Sequence, residues 1–331
     1  MKNQKKNVKT LSLVFITIII LAGIYVIFNT YKDTGPDDND NSPISYVTEP
    51  FLWRIEGKHS SYIFGSVQLP YKNILTLPSV VYNAINKSDM IYTETKIDGI
   101  EIDELYKYYI INTNETLQDL LPDNIENRLR DILSDREQSI EGYSNFDVWV
   151  VAQSLNSIDI KNPDFNPLLD QYIWDLAEAM GKELDGLKTP VEQISIFDNL
   201  NLTTQIDILE DTISTIEEYD ILDKTLAEDI EKAYLEGDLE SLNNVTNVGL
   251  QDDFIKNRNI NMSNCIKNIL DKNPNKKFLF TIGARYFYGE NGILTLLENK
   301  GLTLTKISFN KSDSCDAFNT NINNRCYYPY Y

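Results

Sequence analysis

The sequence predicts an α/β domain in which N- and C-terminal segments form a mixed β-sheet around a large helical central insertion, preceded by one N-terminal transmembrane helix. Three observations support this prediction. Apolar runs of strand length occur within residues 52–94 and 277–308, near both ends of the globular part. Between them, residues 101–272 carry apolar residues at three-to-four spacing, which is typical of amphipathic helices. An uncharged 18-residue run stands near the N-terminus.

The uncharged run, residues 11–28, is predicted to anchor the chain in a membrane, since about 20 apolar residues are typical of a bilayer-spanning helix. Residues 1–10 form a basic tail and acidic residues follow the run, so we expect the N-terminus in the cytoplasm and the remainder outside. A cleaved signal peptide shares this pattern, but its apolar region is about 7–15 residues long and ends in small residues. The longer run here favours a single-pass anchor.

The elements of the domain are predicted in chain order after a polar linker at residues 29–50. The domain spans residues 51–310, and a tail follows at residues 311–331. Pro78 fits a first helical turn, and Gly181 is a typical helix stop. The predicted strands are residues 52–56, 61–65, 90–94, 277–282 and 302–308. The predicted helical segments are residues 78–88, 123–134, 147–156, 167–180, 190–219, 227–242, 252–270 and 292–299.

The composition excludes one class of partner. The formal net charge is −20, and all 50 Asp and Glu residues follow the predicted anchor. A polyanion repels nucleic acid, so we expect no nucleic-acid partner. The acidic residues are dispersed along the predicted helices, which is typical of a solvated surface.

Three cysteines are too few for a disulfide scaffold, so the stability of the domain must come from a hydrophobic core. Cys315 and Cys326 could close a small loop in the tail, which would leave Cys265 as an unpaired buried thiol. No Cys-x-x-Cys spacing occurs, and the only histidine, His59, is remote in sequence from the cysteines. A zinc site built from cysteines is therefore not expected.

Two predicted strands end in a glycine that a polar residue follows three positions later. The first reaches Gly65 and then Gln68, and the second reaches Gly283 and then Tyr286. Glycine allows a sharp turn or a close approach of another group. If both strands lie in one sheet, Gln68 and Tyr286 face each other at its rim, where open α/β sheets usually keep their sites.

Several blocks are spread in order over residues 51–308. They are Phe51-Leu52-Trp53-Arg54-Ile55-Glu56-Gly57, Tyr62-Ile63-Phe64-Gly65-Ser66-Val67, Glu94, Leu169-Asp170-Gln171-Tyr172, Leu187-Lys188-Thr189-Pro190, Arg258-Asn259 and Gly289-Glu290-Asn291-Gly292. Together they resemble the TraB/GumN family, which includes the Tiki metalloproteases. No single block is very specific, but their order and spacing together are. The resemblance implies a TraB/GumN (Tiki)-like fold.

The resemblance also implies a site, and here the chain departs from the family pattern. Both glycine motifs read Gly-x-x-His in the family, whose two histidines and a glutamate are taken to hold a divalent metal for hydrolysis. Glu94 and Arg258 match the pattern, whereas Gln68 and Tyr286 replace the histidines. An amide oxygen is a weak ligand for Zn, Mn or Co, and a neutral phenol is weaker still.

Two cations lie beside these positions in the sequence. The family's central Leu-Glu-Thr reads Leu187-Lys188-Thr189 here, and Arg285 precedes Tyr286. If either cation points into the cleft, its field disfavours a bound metal.

The candidate catalytic residues are therefore Gln68, Glu94, Arg258 and Tyr286, and Arg258 is as well suited to hold Glu94 as to contact a substrate. The leading hypothesis is a membrane-anchored protein with a degenerate metal-hydrolase site and no expected cofactor. It binds a peptide or protein, as the family's pheromone-shutdown members suggest. One alternative is an active peptidase in which altered ligands hold Zn, Mn or Co. A second alternative is a structural cell-envelope protein.

Overall fold

The computed structural model describes residues 47, 49–98, 102–158, 167–246 and 252–308. Its described residues form one six-stranded sheet with the order β4-β3-β5-β2-β1-β6. The strands come from both ends of the domain, as predicted, together with one from the middle. Their bounds are β1 Leu52–Ile55, β2 Ser61–Ser66, β3 Met90–Thr95, β4 Glu183–Lys188, β5 Phe278–Gly283 and β6 Leu304–Lys306.

The sheet is mixed, as predicted. The four strands β4, β3, β5 and β2 run parallel, with β5 between β2 and β3. The predicted hairpin adds β1 antiparallel to β2, and β6 completes that edge antiparallel to β1. All six residues of β2 are buried, which fits its nearly continuous apolar run and helices on both faces.

Helices cover the sheet and form the central insertion. Most lie close to their predicted positions, and Gly181 and Gly301 end helical segments with positive φ angles of 69° and 82°. Two short 3₁₀ helices occur at Ile140–Tyr143 and Ala284–Tyr286. The α-helices are α1 Lys72–Leu75, α2 Ser79–Lys87, α3 Ile102–Tyr106, α4 Leu117–Leu120, α5 Asp123–Asp135, α6 Val148–Ile158, α7 Leu169–Ala179, α8 Pro190–Asp198, α9 Leu202–Ile221, α10 Leu226–Glu236, α11 Leu239–Thr246, α12 Asp252–Lys272 and α13 Ile293–Asn299.

The structure corrects the sequence-based assignment at three places. Strand β4 lies in the segment expected to be mostly helical. The sequence did not indicate a strand there, because it is largely polar and only Leu187 is buried. The single helical pattern predicted at residues 190–219 is two helices, and the Asn201 side chain accepts the Thr204 N–H to begin the second. The pattern at residues 227–242 is likewise divided, because Gly237 adopts a left-handed conformation with φ of 70°.

Two hydrophobic clusters pack on opposite faces of the sheet. Phe64 of β2 and Leu279 of β5 belong to the cluster beneath α2, α7 and α10. Ile63 and Phe280, their neighbours along the same strands, belong to the cluster beneath α12 and α13. The helical insertion has a separate core built mainly from α5, α6 and α9. The sheet therefore carries a core of its own on each face, as alternation along its strands requires.

Several predictions concern residues beyond the described part of the chain. These are the basic tail at residues 1–10, the anchor at residues 11–28, the C-terminal tail at residues 311–331, and Cys315 and Cys326 within that tail. Within the described ranges, no helix has the length and apolarity needed to cross a membrane. Val47, inside the predicted linker, is buried in the core. Cys265 on α12 carries a free, half-buried thiol.

Candidate functional site

The parallel strands bring the candidate residues to one edge of the sheet. Glu94 lies at the end of β3, and Tyr286 closes the 3₁₀ helix that follows β5. Gln68 lies two residues beyond β2, whose Ser66 pairs with Gly283 of β5. Because parallel strands present their carboxyl ends at the same edge, the expected shared rim is present.

The two glycines of the motif pair allow close approach of other groups. A Cβ atom on Gly65 would lie 2.8 Å from the Cβ atoms of both Phe51 and Ala284. The Tyr234 hydroxyl donates a hydrogen bond to the Gly65 carbonyl at 2.7 Å. A Cβ atom on Gly283 would lie 3.1 Å from the Tyr286 ring, which packs directly over this backbone. The glycine pattern in the sequence therefore reflects tight packing around the site.

Glu94 and Arg258 form a buried ion pair at the centre of the site, as one of the sequence-based alternatives anticipated. The Arg258 side chain is 3% exposed, and its Cζ atom lies 3.4 Å from the centroid of the Tyr286 ring. Burial acts to raise the pKa of Glu94, but Arg258, together with Lys188 and the Gly283 N–H, brings this pKa below its ordinary value. Glu94 is therefore a carboxylate already engaged by a guanidinium that stacks on an aromatic ring.

Asn259 fixes the position of α12 relative to the loops at this edge. Its Nδ2 atom donates hydrogen bonds to the carbonyl oxygens of Tyr286 at 3.4 Å and Asn291 at 2.9 Å. Asn259 is 1% exposed, so these bonds are made in the interior. They tie the helix that carries Arg258 to the segment that carries Tyr286.

Gln68 contacts Asp170, whereas Tyr286 contacts Arg258. Its Nε2 atom donates a hydrogen bond to Oδ2 of Asp170 on α7 at 2.6 Å. The other carboxylate oxygen of Asp170 is sealed from solvent and has no hydrogen-bond partner in the structure. Burial raises the pKa of Asp170 to about 7, against the opposing contacts of Ser66 and Gln68, and the nearby Glu94 charge adds to the rise.

Asp170 is a site residue that the sequence reasoning did not single out. It belongs to the central block Leu169-Asp170-Gln171-Tyr172, whose sequence indicates the family but not a role for this carboxylate. The sequence offers one signal for Asp170. It is a carboxylate in the first turn of a predicted helix, inside a block that resembles the family. Only the packing of α7 against this edge brings that carboxylate to Gln68.

The Asp170→Asn variant is expected to remove a pH dependence of stability. Folded Asp170 holds its proton up to about pH 7, whereas an unfolded aspartate loses it near pH 4, so the folded state binds more protons in this window. The free energy of unfolding of the wild type should therefore fall by about 2–4 kcal/mol, relative to the variant, as pH rises through the window. Urea unfolding at pH 4.5, 6 and 7.5 measures this difference. Asp131→Asn, on the exposed face of α5, is the control, and parallel pH curves for wild type and Asp170→Asn would contradict the expectation.

Lys188 and Arg285, the two cations that the sequence places beside the motif residues, both lie near this site. Lys188 ends β4 close to Glu94 and Arg258; burial and the Arg258 charge lower its pKa to about 8, against the opposing charges of Glu94 and Glu192. Arg285 lies with its Cζ atom 5.3 Å from the centroid of the Tyr286 ring. Its Nε and Nη2 atoms are sealed from solvent and have no hydrogen-bond partner in the described part of the chain.

These residues do not fit a bound divalent metal. The Glu94 carboxylate is held by Arg258, and the Gln68 side chain is held by Asp170. Across the described ranges, no group of three or more His, Cys, Asp or Glu side chains is arranged to hold a metal ion. His59 lies in the β1–β2 turn, at the end of β2 opposite to Gln68, so it supplies no ligand here.

Comparison with known proteins identifies the family. The TraB/PrgY/gumN sequence profile matches residues 51–306. The chain belongs to the TraB/PrgY/gumN family. The match covers every strand of the sheet and the four candidate residues, so the family resemblance predicted from the sequence is confirmed.

Curated relatives of this TraB/PrgY/gumN member carry metalloprotease names. A "Metalloprotease TIKI homolog" from Amphimedon queenslandica is 27% identical over 78% of this chain and 61% of the relative. "Metalloprotease TIKI1" from Xenopus tropicalis and that from Homo sapiens are each 26% identical over 76% of this chain and 60% of the relative. This chain thus spans about 60% of the length of these relatives. No solved structure matches it.

Proposed function

We propose that this TraB/PrgY/gumN member binds a peptide or protein at the carboxyl edge of its sheet and does not hydrolyse it through a metal. The observation that carries the proposal is the Glu94–Arg258 ion pair stacked on Tyr286. The Glu94 carboxylate, which would serve as a metal ligand, is paired with the Arg258 guanidinium. The peptide or protein ligand is suggested by the family, whose relatives are named metalloproteases.

The energetics of the ion pair support this proposal. A metal that takes Glu94 would have to displace Arg258 and leave a guanidinium buried without its partner, at a cost of about 3–5 kcal/mol. Lys188 would add a second positive charge near the metal, unless it lost its proton. Each effect opposes metal binding, and Gln68 and Tyr286 offer only weak ligands in return.

The proposal includes a location for the domain. Residues 11–28 anchor the chain in a membrane, with residues 1–10 in the cytoplasm and the domain outside. The peptide or protein ligand then reaches the domain from the extracytoplasmic side. The net charge of −20 opposes a nucleic-acid ligand.

The decisive experiment combines metal analysis with a cleavage assay on the purified 331-residue chain. The chain is incubated with Zn²⁺, Mn²⁺ or Co²⁺, desalted, and analysed for bound metal by mass spectrometry. A randomised peptide library is then incubated with each sample and examined for new termini. We expect substoichiometric metal and no cleavage, together with peptides retained by the immobilised chain.

The opposite result would establish the alternative of an active metal-dependent peptidase with altered ligands. That result is stoichiometric metal removable by a chelator, with cleavage that disappears in Glu94→Gln. Glu183→Gln is the matched control, because Glu183 is an exposed carboxylate near the start of β4, at the opposite edge of the sheet. Absence of both cleavage and peptide retention would contradict the proposal and favour a structural envelope role.

A further inference from the structure

The site contains an arginine without an acidic partner. Arg285 has no carboxylate within 4 Å among the described residues, and its buried Nε and Nη2 atoms have no acceptor. Arg285 and Arg258 both lie against the Tyr286 ring, but only Arg258 is paired with a carboxylate. Arg285 as a whole is half-buried, and guanidinium donors that lose contact with water are normally hydrogen-bonded.

Lys188 is a second cation without a partner of its own. Its ammonium makes no hydrogen bond and no ion pair within the described residues. The two carboxylates near it are engaged elsewhere: Glu94 by Arg258, and Glu192 by the Thr189 backbone and hydroxyl in a capping box.

Both cations lie near the Glu94–Arg258 ion pair. Lys188 is opposite Thr95 at the ends of β4 and β3, beside Glu94, and Arg285 lies against the Tyr286 ring on which Arg258 stacks. This positive cluster belongs to a chain whose net charge is −20. Because an uncompensated cation is costly to bury, the cluster is suited to an anion that arrives with a ligand.

We propose that Lys188 and Arg285 bind a carboxylate of the peptide ligand at the carboxyl edge of the sheet. The carboxylate is either the C-terminus of the ligand or an aspartate or glutamate side chain. Arg285 has the planar donor geometry that suits a carboxylate, and Lys188 adds a point charge. This assignment rests on the proposed peptide-binding function, and it names the chemical group that the site recognises.

Four forms of a randomised pentapeptide library test the assignment and separate the two sources of carboxylate. The libraries carry a free or an amidated C-terminus, and either contain or exclude aspartate and glutamate. We expect the amidated library without acidic residues to be retained by the purified chain at least about tenfold less than the best of the others, since a tenfold change corresponds to about 1.4 kcal/mol. Two libraries carry only one source of carboxylate: a free C-terminus without acidic residues, or an amidated C-terminus with them. Comparison of these two shows which source the site prefers.

Substitution of the cations should remove this preference. In Arg285→Gln and in Lys188→Gln, the four libraries are expected to be retained nearly equally. Lys276→Gln is the matched control, since Lys276 is paired with Glu183 near the start of β5, far from the carboxyl edge. Thermal melting of each variant confirms that it is folded, and Arg285→Met, which also removes the charge, replaces Arg285→Gln if the latter does not fold.

A small anion separates failure of this assignment from failure of the proposed function. N-acetylglycine should raise the melting temperature of the wild type, whereas its amide should not, because only the carboxylate binds the folded state. The rise should disappear in Arg285→Gln. Equal retention of all four libraries would overturn the carboxylate assignment and leave peptide binding intact. Stabilisation by N-acetylglycine without retention of any library would uphold the carboxylate site and overturn peptide binding, and absence of both would overturn both.

Discussion

The Arg258→Leu variant is expected to lose about 3–5 kcal/mol of unfolding free energy, because it leaves the Glu94 carboxylate buried without its partner. The Arg258 side chain is 3% exposed, and the same substitution also removes its stacking on Tyr286. Urea unfolding at pH 7 measures the loss. A destabilisation below about 1 kcal/mol, typical of exposed ion pairs, would contradict the central role given to this pair.

The double variant Glu94→Leu/Arg258→Leu isolates the electrostatic part of this loss. Replacing both members of a buried pair with apolar residues is often neutral or even stabilising, by about 1–4 kcal/mol. We therefore expect the double variant to be more stable than Arg258→Leu alone. A double-mutant cycle with Glu94→Leu gives the coupling energy, and strictly additive losses would show that the two side chains act independently.

The Gly186→Ala variant is expected to lose about 3 kcal/mol or more, near the upper end of overpacking effects. A Cβ atom at Gly186 would lie 2.0 Å from the backbone nitrogen of Lys96 and 2.6 Å from the Lys188 carbonyl oxygen. These are backbone atoms, so the ends of β3 and β4 would have to separate. The hydrogen bond from the Lys96 N–H to the Lys188 carbonyl, 3.0 Å long, would be weakened.

The functional consequence distinguishes this clash from a general loss of stability. Glu94 and Lys188 end the two strands that Gly186 holds together, so peptide retention should fall even at temperatures where the variant is folded. Gly142→Ala is the control, because a Cβ atom there has no neighbour within 4 Å, and its stability should change by less than about 0.5 kcal/mol. A Gly186→Ala variant as stable as Gly142→Ala would contradict the close packing of β3 against β4.

The strands that the sequence predicted correctly are the ones with a strong local signal. β2 and β5 are apolar runs that are buried on both faces, and their glycines mark places where other groups pack closely. β4 lacks that signal, since an edge strand with one buried residue resembles a polar loop or a helical segment in sequence. Its assignment depends on the ladder it forms with β3, whose paired residues lie 93 positions earlier in the chain, as Met90 and Glu183 do.

The candidate site also has features that the sequence predicts and features that it does not. The family match and the shared rim of Gln68 and Tyr286 could be predicted, because parallel strands end at one edge and the blocks keep their order. The partners of those residues could not be predicted. Gln68 donates a hydrogen bond to Asp170, which lies 102 positions later in the sequence. Arg258, on α12, forms an ion pair with Glu94, on β3.

The sequence by itself therefore determined the family, the mixed sheet and the position of Gln68 and Tyr286 three residues after a glycine, because these depend on residue identity and local pattern. The tertiary structure decided that Glu94 is paired with Arg258, that burial raises the pKa of Asp170 to about 7, and that Arg285 lies beside Tyr286 with no carboxylate within 4 Å among the described residues. The reason is physical: charge pairing and burial act over a few ångströms between segments far apart in the chain. Local sequence does not encode those distances.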